Sequence, residues 1–179
     1  PSPVNFKKLS QNKRFIQNKF QDLEINLENY ALGSEKRKLL MKQLSETSSS
    51  TINNIDQNSK YFKKKNTFLN LKKNENLIEE VEINQITLSD YLEQKKILKI
   101  DFLKIDTEGY EFNVLKGLSK HNQKIKLVYF EHHYDDMIVK DYTFGDIHQL
   151  LKSFGFVMIK KTKMLFRKSF EYVYENQKA

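Results

Sequence analysis

The sequence predicts an α/β fold with a mostly parallel sheet and an antiparallel strand at its carboxyl end, on three observations. Apolar, β-favouring runs at residues 100–105 and 125–130 are each bounded by turn residues and lead on to apolar positions at helical spacing. Strands therefore alternate with helices of about ten residues, the pattern of βαβ units. The last two strand-like runs, 156–159 and 170–174, are joined by a connection too short for a crossover and should run antiparallel.

Along the chain, Ser2-Pro3 is a helix opening, with the serine oxygen as cap and proline at the first helical position, where a missing N–H costs nothing. Phe6, Leu9, Phe15, Ile16 and Phe20 then form one apolar stripe among Lys, Asn and Gln. Residues 23–27 alternate with period two, and the stretch continues to Leu32 before Gly33-Ser34 breaks it, which predicts a strand over 23–32. Residues 37–44 fit a strand or a helix equally well. The run 45–59, rich in Ser, Thr, Asn and Asp, cannot bury enough apolar surface to offset its ordering entropy and reads as a loop. With the Lys- and Asn-rich residues that follow, it predicts a mobile polar insertion over about 45–76.

Regular structure resumes at Val81 and Ile83, a strand running through Thr87-Leu88-Ser89-Asp90 into a short capped helix. The strand at 100–105 ends in Asp106-Thr107-Glu108-Gly109, and Tyr110, Val114, Leu115 and Leu118 follow at helical spacing. Phe144, Ile147, Leu150, Leu151 and Phe154 make a second helix, closed by Gly155.

A chain of 179 residues without repeats or a proline-rich hinge is read as one domain, 1–179, and Pro1 in place of an initiating methionine suggests that it opens mid-protein. Apolar runs fall short of the roughly 20 residues that cross a bilayer, so no membrane span is expected. The absence of cysteine excludes disulfides and thiolate metal sites and fits a cytoplasmic setting. The formal charge of +8 is spread from Lys7 to Lys178 with no clustered patch, so no nucleic-acid partner is expected.

In open α/β sheets ligands sit outside the carboxyl ends of the strands. That rule selects Tyr30-Ala31-Leu32-Gly33, Asp106-Thr107-Glu108-Gly109 and Glu131-His132-His133-Tyr134. Asp106 and Glu108 stand at a strand tip and a helix start, where the helix dipole favours carboxylates, although Glu108 reads equally as a cap and Glu111 as a first-turn carboxylate. Neighbouring strand ends about 5–10 Å apart would bring a histidine to Asp106 as an oriented acid–base pair. Alternation sends His132 and His133 to opposite faces, so one of them at most should point into the site. His121 and His148 read as surface residues.

The run Ile100-Asp101-Phe102-Leu103-Lys104-Ile105-Asp106-Thr107-Glu108-Gly109-Tyr110-Glu111, followed by Val114-Leu115-Lys116-Gly117, resembles the FkbM family of methyltransferases. Upstream, Thr87-Leu88-Ser89-Asp90-Tyr91-Leu92 resembles the segment leading to it, and Pro1-Ser2-Pro3-Val4-Asn5-Phe6 the stretch after that family's second strand, so the likeness spans nearly the whole chain. It implies a Rossmann-like class I methyltransferase fold, and methyl transfer from S-adenosylmethionine to a hydroxyl of a small molecule or saccharide. The family's glycine-rich loop and its ribose-binding acidic residue are missing from this sequence, which implies amino-terminal truncation and weak cofactor binding. Ala31 and Leu32 then become the implied adenine-side contacts and Asp106 the contact near the methionine end. Asp106, His132 and His133 are the implied catalytic residues, with no metal, and Glu108 and Tyr134 the substrate contacts; the serine-rich loop from Ser48 to Thr51, with Ser49 and Ser50, is expected to cover the acceptor because it lies between core elements. The competing readings are a non-catalytic module binding an anionic glycan or nucleic acid, and a metal-dependent hydrolase using Asp106, Glu108 and His132.

Overall fold

The computed structural model describes residues 1–44, 50–68, 78–165 and 168–178. The chain opens with α1 (Pro3–Lys19), capped by Ser2, whose Oγ accepts the Asn5 N–H at 3.2 Å. No residue of α1 is buried, and Phe15 in its apolar stripe is 72% exposed. Residues 23–30, most of the strand expected over 23–32, carry no regular structure. Alternation supplies two faces but not a partner, and only β1 (Ala31–Gly33) finds a neighbouring ladder.

The ambiguous run 37–44 is a strand, β2 (Arg37–Leu44), because a second strand accepts all eight residues in register. Short β3 (Asn54–Ile55) and α2 (Lys60–Phe68) follow. The stretch expected to be a polar insertion thus contains a helix, held by the burial of Phe62 with Met137 and Ile138. Next come β4 (Ile78–Thr87), α3 (Leu88–Gln94), β5 (Ile100–Ile105), α4 (Glu111–Lys116), β6 (Ile125–His133), β7 (Ile138–Val139), α5 (Phe144–Ser153), β8 (Phe156–Lys163) and β9 (Ser169–Asn176). Side-chain caps set two of these helix starts: Thr87 accepts from the Asp90 N–H, and Thr143 with Asp146 forms a reciprocal capping box.

The fold is mixed α/β, and the expectation of a mostly parallel sheet needs correcting. Among the described strands the orders are β1-β4-β2, β3-β7 and β5-β6-β9-β8. Only β1·β4 and β5·β6 are parallel; β2·β4, β3·β7, β6·β9 and β8·β9 are antiparallel. The antiparallel β8–β9 pair matches expectation. Its consequence for β6 was not foreseen: β9 turns back between β6 and β8, so β6 is parallel to one neighbour and antiparallel to the other.

One face of the four-stranded sheet packs against α3, α4 and α5 through Leu92, Leu115, Val128, Phe130, Ile147 and Tyr172, all fully buried. Each such side chain contributes about 1.5–3 kcal/mol relative to exposure. The end of α4 packs against β1 where a Cβ added to Gly117 would lie 2.1 Å from the Gly33 carbonyl oxygen, a contact that glycine alone permits. Among the described residues no helix is long and apolar enough to cross a membrane.

Candidate active site

The site begins at the turn between β5 and α4. Glu108 has φ of 49° and Gly109 of 92°, so a residue carrying a side chain is held in the left-handed region. Glu111, only 1% exposed, explains how the turn closes. Its Oε1 accepts from the Gly109 N–H at 2.9 Å, the Thr107 hydroxyl at 3.0 Å and the Thr107 N–H at 3.3 Å. Its Oε2 accepts from the Tyr142 hydroxyl at 2.7 Å, which also lies 2.9 Å from the Gly109 carbonyl oxygen. Burial first, and the Glu111 charge second, push the ionisation of Tyr142 far above its ordinary value, so it stays a neutral donor.

The second part is the end of β6. His133 Nδ1 lies 3.3 Å from Asp135 Oδ2, and its Nε2 is 3.6 Å from both Glu108 Oε2 and Glu131 Oε1. Asp135 is itself oriented by the Met137 N–H, 3.1 Å from its Oδ1. Burial works against charge on His133, but the Asp135 contact and the charges of Glu108, Glu131 and Asp135 outweigh it and raise its pKa. Asp135 is lowered in return, its bond to His133 and the Met137 N–H overcoming its own burial. The Lys140 ammonium donates to the His133 carbonyl, and burial lowers its pKa.

His132 occupies the other face. Its ring meets Tyr134 edge-on at 4.8 Å and approaches Tyr142 at 5.8 Å and Phe144 at 6.0 Å. Nδ1 is buried with no hydrogen-bond partner among the described residues. Burial, followed by the nearby positive charges of Lys140 and His133, depresses its pKa to about 4, so it is neutral at pH 7.

Residues 1–158 match the family model of the methyltransferase FkbM domain. The chain belongs to the FkbM methyltransferase family. No curated protein and no solved structure gives a significant match. The matched region ends inside β8, so β9, which brings Tyr172 and Ser169 to the end of β6, lies beyond it.

In this FkbM domain the residues expected to act together are only partly gathered. Asp106 continues the face of β5 that, by register, carries Glu131 and His133 on β6. It is about half exposed and pairs with Lys104 at 2.9 Å; the carboxylates beside His133 are instead Glu108, Glu131 and Asp135. Tyr134 sides with His132, its hydroxyl 2.8 Å from that of Tyr172. Ala31 and Leu32 lie on β1, joined to the turn through Gln85, which pairs with Ala31 and accepts the Tyr110 hydroxyl at 2.9 Å. Ser50 precedes Thr51, whose Oγ1 donates to the Glu108 carbonyl at 2.8 Å, while Ser49 lies outside the described residues.

Sequence reading missed Asp135, Lys140, Tyr142 and Asn53, placed Thr51 only in a loop over the substrate, and undervalued Glu111. Asp135 was legible in principle, as an acidic residue in the turn directly after the histidines. Among the described residues no group of three or more His, Asp and Glu is arranged to hold a metal ion.

Proposed function

We propose that this chain takes part in methyl transfer from S-adenosylmethionine to a hydroxyl of a small molecule or sugar, with the acceptor bound at the carboxyl ends of β5 and β6. The family match over residues 1–158 carries the reading. Parallel β5 and β6, with antiparallel β9 beyond them, are compatible with a Rossmann-like class I arrangement.

The residues present fit such a cofactor in part. The half-exposed carboxylate of Asp106 offers a negative partner to the ammonium of the methionine end, in exchange for its ion pair with Lys104. Ala31 is buried against Met41 and Ile83, which leaves half-buried Leu32 as the more available adenine-side contact. S-adenosylmethionine supplies a methyl group already activated on a sulfonium; the chain then has to orient the acceptor oxygen and take its proton.

For that proton His133 is the better base of the two histidines. Asp135 orients it, whereas a group with pKa near 4 enclosed by aromatic rings, as His132 is, makes a weak base. Because the pKa of His133 is raised, turnover should increase with pH as its imidazolium loses a proton. Glu131 Oε1, buried without a hydrogen-bond partner among the described residues, is an acceptor suited to a substrate hydroxyl.

The test is calorimetric titration of S-adenosylhomocysteine into the full-length protein. Wild type should bind, and Asp106→Ala should weaken binding by about tenfold, the worth of one charge-assisted contact. A folded protein that binds neither S-adenosylhomocysteine nor S-adenosylmethionine overturns the assignment.

A further inference from the structure

The connection between β2 and β3 reaches the β5–α4 turn and takes hold of its backbone. Thr51 is 2% exposed and is tied to β2 by two main-chain bonds with Lys42, at 2.8 and 3.0 Å. Its hydroxyl accepts the Asn53 N–H at 3.1 Å and donates to the Glu108 carbonyl at 2.8 Å, so both of its capacities are used. Asn53 Nδ2 donates to the Gly109 carbonyl at 2.5 Å. From the opposite side Glu111 holds the N–H groups of Thr107 and Gly109.

Four main-chain groups around Glu108 are therefore engaged, the N–H groups of Thr107 and Gly109 and the carbonyls of Glu108 and Gly109, and Glu108 has φ of 49°. A left-handed conformation is disfavoured for a residue with a Cβ and persists only where the surroundings over-determine it. Relaxation of this turn would swing the side chain. In the conformation held here Glu108 Oε2 stands 3.6 Å from His133 Nε2.

We propose that Thr51 and Asn53 are positioning residues of the methyl-transfer site: they lock Glu108 in its left-handed conformation and thereby keep its carboxylate against His133. The assignment to methyl transfer rests on the function proposed above, whereas the link from Thr51 through Glu108 to His133 is independent of it. The groups around His133 are Glu108 from the turn, Glu131 from β6, Asp135 just after β6 and Lys140 after β7, while His132, on the opposite face of β6, is felt only through charge. Freeing Glu108 removes one of three carboxylates, so His133 should release its proton more readily while Glu131 and Asp135 retain part of the effect.

The test follows the ring resonances of His133 through a pH titration by NMR in wild type, Thr51→Val, Thr51→Ser, Asn53→Ala and Glu108→Gln. Thr51→Val should weaken proton binding at His133 by about threefold, the scale of one carboxylate displaced at a partly screened site. Glu108→Gln should match it, the pair together should add nothing further, and Thr51→Ser should restore wild-type behaviour. Asn53→Ala tests the same brace through the Gly109 carbonyl should Thr51→Val not fold. Variants that melt earlier yet titrate at His133 as wild type does would overturn the proposal, since a merely structural role moves stability alone. S-adenosylhomocysteine binding on the same samples separates the two ideas. A shifted His133 titration without that binding keeps the brace and removes the methyl-transfer assignment; binding without the shift removes the brace.

Discussion

His132 and His133 are neighbours in the chain, yet alternation sends them to opposite faces of β6, and those faces act as different solvents. On one, His132 lies among Tyr134, Tyr142 and Phe144, with a ring nitrogen unpartnered among the described residues and a pKa pushed down to about 4. On the other, His133 is surrounded by Glu108, Glu131 and Asp135, and its pKa is raised. Burial is nearly the same for both, at 3% and 8% exposure, and it lowers both pKa values, so it cannot account for the opposite signs. The partners do.

The two faces can be broken separately. Tyr172 is fully buried on the aromatic side, stacked on Phe144 at 4.2 Å and Phe130 at 5.4 Å. Tyr172→Ala should cost about 4 kcal/mol in urea unfolding, the range for losing a core aromatic. A loss under about 1 kcal/mol would mean that this side is not packed as described.

Next in size is an acid effect carried by His132. The unfolded chain takes up its proton near 6.5, but the fold excludes that proton down to about 4, so stability should fall by roughly 3 kcal/mol as pH drops through this window. His132→Leu should abolish that loss and change stability at pH 7 by under about 1 kcal/mol, because an unsatisfied buried nitrogen leaves with the ring. Unfolding curves at pH 4.5 and 7 decide it.

His133 should show the opposite sign. A raised folded-state pKa stabilises fully below the unfolded value near 6.5, and the contribution disappears as pH rises through the folded value. His133→Leu should therefore cost about 2 kcal/mol at pH 6, the scale of charge-assisted bonds, and distinctly less at pH 9. An equal cost at both pH values would show that the carboxylates do not hold the imidazolium.

Much of the frame was readable from residue order, since its signals are local. Ser2-Pro3 opened α1, Thr87 capped α3, and the runs ending at Ile105 and Phe130 gave β5 and most of β6. Pairing was less legible, because it depends on distant residues: the alternation at 23–30 had no ladder to join, whereas 37–44 became a strand only because β4 received it. The site follows the same division. Opposite faces for the two histidines came directly from period two. That Glu108 meets His133 depends on a left-handed turn, and no local pattern revealed that Thr51, 57 residues before Glu108, helps to hold it.

The most direct measurement is a pH titration of both histidine rings in the wild-type protein, followed by NMR. His132 should titrate near pH 4 and His133 above its ordinary value near 6.5, as two separate events. Two rings titrating together near 6.5 would contradict the account, because the end of β6 would then offer one solvated environment instead of two faces, and His133 would lose the charged surroundings on which its assigned role depends.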